Sequence, residues 1–219
     1  IGRGGDAPHR SAEPAKLEGV KRATMLDKVQ LPMVMMAWLS PAKFAPGDAE
    51  LDLLADVLAD GKSSRLYKRL VYDDKIAVDV SASQESLLLG SGFRISVVAA
   101  PVADLDKIEK TVDEEVTRLV KDGLTAEELE RYRSKTELGM LSRLQQVEAR
   151  ADALNEYEFF FGEPNSFQRD LDRYRKATPA EVQKWAAATL KPDARVIIRV
   201  LPEAPQPEAS AREKRPGDY

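Results

Sequence analysis

The chain has 219 residues, a net charge of −4, a single histidine and no cysteine. The missing cysteine excludes disulfides, thiolate nucleophiles and cysteine-ligated zinc, and His9 alone cannot form a paired-histidine zinc motif. The mixed, mildly acidic charge lacks the basic surface that nucleic-acid binding requires. No apolar run is long enough to predict a membrane span.

Both ends of the chain differ in composition from its middle. Residues 1–16 are rich in Gly, Pro, Ala and charge, which predicts a linker or disordered arm. Residues 202–219 have the same character and predict a disordered C-terminal tail. One folded domain is therefore expected over 17–201. Because the chain begins with Ile1 rather than Met, we expect it to be a fragment or a processed product.

The first half of the domain starts with two strand patterns, over 20–29 and 32–39. An apolar stripe at helical spacing then predicts a helix that ends at Gly61. The stripe consists of Leu51, Leu54, Val57 and Leu58. A second, short helix is expected over 63–72.

Two further strands are predicted from period-2 alternation of apolar and polar residues, over 76–82 and 93–99. In the first of them we expect one side to face the core, namely Ile76, Val78, Val80 and Ala82. In the second we expect the same of Phe93, Ile95, Val97 and Ala99. The two runs are predicted to pair antiparallel.

The second half of the domain is predicted to be helical. A helix over 105–119 stops at Lys121-Asp122-Gly123. Thr125 and Glu128 form a capping box, which opens a long helix through about Leu144 and on towards Phe161. The sequence Thr-Pro-Ala-Glu over 178–181 starts another helix that runs to about Leu190.

A final strand is expected over 195–200. The whole order is two strands, two helices, two strands, four or five helices and a last strand. This order predicts the α+β class, with an antiparallel-rich sheet and helices packed on one face.

Acidic residues are the first candidates for chemistry. Asp52 and Asp56 lie at i, i+4 on the predicted first helix and share a face that could bind a hard cation, although such a pair is more often the solvated side of an amphipathic helix. Asp73-Asp74 could act as a general-base pair, but their position before Lys75 favours a turn. Glu127-Glu128 belongs to the capping box and needs no further role.

An aromatic group could form a peptide-binding patch, although a core or domain-docking role is favoured. Its members are Tyr157, Phe159, Phe160 and Phe161. The sequence contains no Gly-rich phosphate loop, nucleophile elbow or dinucleotide-binding fingerprint. The residues themselves therefore predict no catalytic group and no metal ligand, and they identify no substrate-binding residue.

Four stretches together resemble the pitrilysin/insulinase-type zinc peptidases and their mitochondrial-processing-peptidase relatives. Residues 61–70 read Gly-Lys-Ser-Ser-Arg-Leu-Tyr-Lys-Arg-Leu, and residues 75–82 read Lys-Ile-Ala-Val-Asp-Val-Ser-Ala. Residues 121–131 resemble the family's Gly-Leu-Thr-x-x-Glu-Leu, and residues 177–186 its Val-Thr-x-x-Asp-Val-Gln-x-x-Ala. The resemblance covers nearly all of 17–201.

The resemblance implies a position in a two-domain peptidase. In that family one domain carries His-x-x-Glu-His, whose zinc activates water, and a later domain without the motif helps to hold the peptide. Here Asp52-Leu53-Leu54-Ala55-Asp56 stands at the place of the zinc motif. At the positions of an Arg and a Tyr that help the family to hold substrate, Val71 and Val78 align, and valine offers neither charge nor hydrogen bond.

The resemblance therefore implies a non-catalytic, C-terminal-type domain that completes the peptide-binding chamber. No cofactor is expected in this chain; zinc is expected in the partner, an N-terminal domain or a sister subunit, and the substrate would be a peptide. One alternative is a proteolytically inactive assembly subunit of the same family. Another is a cation-dependent hydrolase that uses Asp52 and Asp56. Relatives occur in the periplasm and the cytoplasm, with a leaning here towards the periplasm.

Overall fold

The computed structural model describes Glu13 and residues 15–203, so His9 lies outside it. The expected arm (1–16) and tail (202–219) lie almost entirely outside the described residues. The strands are β1 (Lys21–Asp27), β2 (Met33–Ser40), β3 (Ala77–Glu85), β4 (Ser91–Ala99) and β5 (Val196–Pro202). The helices are α1 (Asp48–Ala59), α2 (Leu105–Asp122), α3 (Ala126–Arg143), α4 (Val147–Phe161), α5 (Phe167–Lys176) and α6 (Pro179–Thr189). A π-helical turn spans Tyr67–Asp73.

The five strands form one sheet in the order β1-β5-β2-β4-β3. β1 and β5 pair in parallel, and the other three pairs are antiparallel. This arrangement confirms the expected α+β fold with an antiparallel-rich sheet. The last strand lies between the first two, so β1 and β3 are the edges of the sheet.

Helices cover one face of the sheet. On β2 the buried residues alternate with partly exposed ones: Val34, Met36 and Trp38 are buried, whereas Met33 and Met35 are not. Since successive side chains on a strand point to opposite faces, only one face of β2 is covered. α1 lies in the core against β3, α3, α5 and α6, which explains why it is apolar around most of its circumference. Within the described residues, no helix packs on the opposite face, which we call the open face.

The alternation predicted for 76–82 is wrong at its start. A β-bulge shifts the register between Ala77 and Asp79, and Val78 is the extra residue. Ala77 and Val80 therefore both point into the core, while Val78 is 46% exposed. A bulge places two residues of one strand opposite one of its partner, and this interrupts the period of two.

The long helix expected after Thr125 is interrupted. α3 ends at Arg143 and α4 begins at Val147, with Arg150 donating to the Leu144 carbonyl from Nε and Nη2 at 3.0 and 2.8 Å. The helix expected over 63–72 is mostly the π-helical turn. The predicted helix starts at Thr125 and Thr178 are confirmed, each with both hydrogen bonds of a capping box. None of the described helices has the length and apolarity needed to cross a membrane.

Candidate functional site

The acidic pair of α1, Asp52 and Asp56, is the pair that the sequence resemblance aligns with the zinc motif. Asp52 is largely buried, and the Tyr174 hydroxyl of α5 donates to its Oδ2 at 2.7 Å. Burial raises the pKa of Asp52 to about 7, against the lowering effect of that hydrogen bond. Burial also raises the pKa of Tyr174 well above its usual range, so the tyrosine is a fixed donor. Asp52 is therefore held by a neighbouring helix.

Asp56 has different neighbours from Asp52. Burial raises its pKa to about 6, and the nearby ammonium of Lys135, on α3, opposes this rise. Lys135 itself forms an ion pair with Asp60 at the end of α1. The two acids thus face two different helices, α5 for Asp52 and α3 for Asp56. In the part of the chain that the structure describes, no group of three His, Cys, Asp or Glu side chains could hold a metal ion.

Asp48, at the start of α1, is the most extensively bonded carboxylate near this pair. It is only 2% exposed. Its Oδ2 accepts from the Phe44 backbone N–H at 2.8 Å and from Arg173 Nη2 at 2.7 Å. Its Oδ1 accepts from Gln84 Nε2 at 3.3 Å and from the Ser86 hydroxyl at 2.5 Å. One carboxylate therefore ties α1 to α5 and β3.

Sequence reasoning did not identify Asp48. Its four donors come from sequence separations of 4, 36, 38 and 125 residues, so no local spacing reports them. The only local signal is an acid in the first turn of a helix, which the helix dipole favours without any further contact. A cleft of about 310 Å³ borders this network, with Asp48, Asp52, Gln84, Arg143 and Tyr157 in its lining.

The aromatic group of α4 packs mainly around one loop residue. Phe44 lies 5.0 Å from Phe160 and 4.7 Å from Phe161, measured between ring centroids. Tyr157 is buried, and its hydroxyl donates to Asp170 Oδ2 at 3.1 Å. Phe159 is 65% exposed. Three of the four aromatic residues therefore have the structural role that the sequence favoured, and Phe159 alone faces outward.

Asp73 and Asp74 close the π-helical turn before β3. Asp74 accepts from Arg69 Nε at 3.0 Å and is not paired with Asp73. Val71 is partly buried against the core, and Val78 is the bulged residue of the edge strand. The alignment of these valines with the substrate-holding Arg and Tyr remains a prediction from sequence. Their positions put them on either side of the turn that leads into β3.

Side-chain contacts join stretches that carry the family resemblance. Arg65, in the stretch 61–70, donates to Glu128, in the stretch 121–131, from Nε at 2.9 Å and from Nη2 at 2.8 Å. Gln183 of α6 donates to the Val120 carbonyl at the end of α2, at 2.8 Å. The capping-box glutamate Glu128 thus has a second role that the sequence did not assign to it.

The fold and this position on α1 define a class of protein. It is an α+β domain with helices on one face of a five-stranded sheet, and α1 carries the two aspartates that the sequence resemblance aligns with His-x-x-Glu-His. A family model described as the peptidase M16 inactive domain matches residues 2–136. Since that match covers more than half of the chain, the chain belongs to the peptidase M16 inactive-domain family. The resemblance to the domain without the zinc motif is confirmed.

Solved structures agree with this assignment. An inactive peptidase domain of a protein provisionally named a zinc protease, from Bordetella parapertussis, is 30% identical with a TM-score of 0.74, over 85% of this chain and 99% of that one. A second such protein, from Bordetella pertussis Tohama I, is 31% identical with a TM-score of 0.70, over 82% and 98%. A search of curated proteins found no significant match.

Longer relatives show the same fold. A protease from Helicobacter pylori is 20% identical with a TM-score of 0.77, over 86% of this chain. The present chain spans only 46% of that protein's chain. The chain thus spans about half the length of that protein, and it belongs to a family of inactive peptidase domains.

Proposed function

We propose that this chain is the non-catalytic, C-terminal-type half of a zinc metalloendopeptidase and completes a peptide-binding chamber around a zinc-bearing sister domain. The observation that carries the proposal is the surroundings of the Asp52 and Asp56 carboxyl groups. The sequence resemblance aligns both with the zinc motif of the sister domain; Asp52 instead accepts a hydrogen bond from Tyr174, and Asp56 lies near the ammonium of Lys135. The zinc and its water would then belong to the N-terminal domain or sister subunit.

The chamber role rests on the surfaces that the helices leave free. β3 is an edge strand, and edge strands present unpaired backbone groups to which an extended peptide can add. The open face of the sheet is a second free surface, which presents side chains rather than unpaired backbone groups. The exposed Val78 of β3 would contribute apolar contact, and neither it nor Val71 would donate a hydrogen bond to a substrate oxyanion. This chain would therefore hold the peptide while the sister domain supplies the chemistry.

A second candidate is an assembly subunit without any part in peptide binding. The specific observation in its favour is that valine occupies both position 71 and position 78. Two polar contacts expected of a substrate-holding half are therefore missing. The two candidates predict different results when the zinc-bearing half is present in a fixed amount.

The test is reconstitution with the zinc-bearing half encoded in the same parent gene or its neighbour. We expect this chain alone to bind no stoichiometric zinc and to cleave no peptide, and the mixture to cleave an unstructured peptide in a chelator-sensitive manner. The control is the zinc-bearing half alone at the same concentration. Equal kcat/KM with and without this chain, despite formation of a complex, would support the assembly role and overturn the chamber role. Chelator-sensitive cleavage by this chain alone would overturn both.

A further inference from the structure

The open face of the sheet carries an apolar strip across four of its five strands. The registers align Met25 of β1, Val200 of β5, Met33 of β2 and Val98 of β4 in one row. In the next row Ile198 of β5 pairs with Met35 of β2. We call these six residues the Met strip.

Two arginines show that the strip lies on the open face. Arg22 of β1 and Arg199 of β5 both donate to Glu109 of α2, at 2.8 and 2.7 Å. Their neighbours in the strands point the other way because side chains alternate. Met25 is 53% exposed, and the other five residues of the strip are partly exposed.

The part of the open face formed by β4 and β3 is mainly polar. β4 contributes Arg94 and Ser96, and β3 contributes Ser81, Ser83 and Glu85. Arg94 Nη2 and Glu85 Oε1 form an ion pair at 2.6 Å. The face therefore divides into an apolar half next to β1 and a polar half next to β3. Ala37 and Leu39 of β2 and Val196 of β5 extend the apolar half beyond the Met strip.

The size of the Met strip limits the kind of molecule that can bind on it. Five of its six side chains are more than half covered, so the strip exposes much less than the roughly 800 Å² that a stable association of folded partners needs on each side. Four neighbouring strands span about 14 Å, the length of roughly four residues of extended chain. These dimensions fit a short extended segment better than a second folded surface.

We infer that the Met strip is a subsite for an extended substrate segment that carries large apolar side chains. Unbranched, polarisable methionine side chains adapt to neighbours of different shape, so the strip would select apolar character without selecting one residue. The inference rests on the proposed chamber function and adds the chemical class of the peptide. The polar half of the face would leave flanking polar residues of the segment in contact with water.

Methionine methyl NMR tests this inference directly, because the chain has five methionines. Met25, Met33 and Met35 belong to the strip, whereas Met36 is buried on the helical side and Met140 lines the cleft beside Asp48. With ¹³C-methyl methionine and signals assigned by single Met→Leu replacements, we expect an eight-residue peptide rich in Leu and Phe to shift only the three strip signals. A Ser- and Asn-substituted peptide of equal charge should shift none.

Binding variants give the second readout. Met35→Gln keeps the length of the side chain and should weaken the apolar peptide roughly tenfold. Ser83→Asn, on the polar half of the same face, is the matched control and should leave affinity unchanged. Equal binding of both peptides, shifts confined to Met36 or Met140, or the absence of any shift would overturn the inference. So would strip signals that move with protein concentration alone, because a second copy would then cover the face.

The outcome is separable from the proposed function. Peptide binding to this chain needs no sister domain, and reconstituted proteolysis needs no apolar selectivity. Active reconstitution without strip binding would remove the inference and leave the chamber role. Strip binding together with a sister domain that cleaves equally well alone would leave a binding surface and remove the chamber role.

Discussion

Arg65 holds Glu128 through two parallel hydrogen bonds, and its Nη2 also donates to the Gly123 carbonyl at 3.0 Å. Glu128 is at the same time the third residue of the α3 capping box, where its Oε2 accepts from the Thr125 N–H at 2.9 Å. The planar guanidinium fits a carboxylate and a carbonyl together, which an ammonium cannot do. Two stretches 63 residues apart in sequence thus share one bonded unit.

Arg65→Lys should therefore destabilise the domain by about 1–2 kcal/mol, although the charge is kept. Denaturant unfolding of the two proteins measures the difference. Arg118→Lys is the control, since Arg118 is more than half exposed in its ion pair with Glu115 and should change stability by less than about 0.5 kcal/mol. Equal losses in both variants would contradict a special role for the guanidinium geometry.

Asp52→Asn should stabilise the domain at neutral and higher pH. The pKa of Asp52 is about 7 in the fold and 3.8 as the reference value, so the folded state binds the proton more tightly than the unfolded state. Ionisation of this group consequently lowers the free energy of unfolding as pH rises from about 4 to about 7, with no further change above. This shift in pKa sets an upper bound of about 4 kcal/mol on the free energy that ionised Asp52 costs the folded state. Because the structure can relax around the charge, we expect the free energy of unfolding of the variant to be about 1–3 kcal/mol higher at pH 8.

The measurement is the difference between the two unfolding free energies at pH 4.5 and pH 8, because other groups contribute equally to both proteins. We expect the difference to be small at the lower pH and largest at the higher one. Asp172→Asn is the control of opposite sign, since hydrogen bonds from Gln168 and Lys176 lower the pKa of exposed Asp172. A difference for Asp52→Asn that does not vary with pH would exclude the raised pKa.

Gly47→Ala should be strongly destabilising. Gly47 has a φ of 98°, and a Cβ there would lie 2.5 Å from Cδ2 of the Trp185 ring. The substitution combines a strained backbone with an overlap in a packed region, for an expected loss of at least about 3 kcal/mol. Thermal unfolding followed by tryptophan fluorescence reports both stability and the environment of Trp185.

Gly139→Ala is the matched control for that change. Gly139 lies inside α3 with no atom within 4 Å of a built Cβ. Alanine there should stabilise by about 0.5–1 kcal/mol through helix propensity. If both alanine variants shifted the midpoint in the same direction, the contact between Trp185 and Gly47 would not be the cause.

Asp48→Asn should cost about 2–4 kcal/mol, because it leaves Arg173 with a single carboxylate partner, Asp170, in a largely buried setting. Combining it with Arg173→Gln should cost clearly less than the sum of the two single changes, as a double-mutant cycle would show. Asp106→Asn, at the exposed ion pair with Arg199, is the comparison and should be nearly neutral. Additive losses at positions 48 and 173 would contradict the coupling.

Local signals in the sequence predicted the fold well. The capping boxes at Thr125 and Thr178 involve residues three positions apart, and both occur as predicted. The pairing of β3 with β4 was predicted, but the bulge at Val78 was not, because an extra residue in a strand leaves the composition of that strand unchanged. The position of β5 between β1 and β2 is equally invisible in local patterns, since long-range packing determines it.

The candidate site was predicted less completely. The sequence marked Asp52 and Asp56 by their spacing, but the partners that define their state, Tyr174 and Lys135, are 122 and 79 positions away from them. Asp48 had no distinguishing local pattern. Such networks become visible only when distant segments are brought together, because each member reads as an ordinary surface residue in isolation.

The hydrogen bond between Tyr174 and Asp52 limits how this domain could regain a metal. α5 packs against α1, and the Tyr174 hydroxyl already donates to the Asp52 carboxylate. Histidines placed at positions 52 and 56 would meet Tyr174 on one helix and Lys135 on another, with no third ligand converging on them. Exchange of these two residues alone would therefore not turn this domain into a zinc site, because the neighbouring helices would have to change with them.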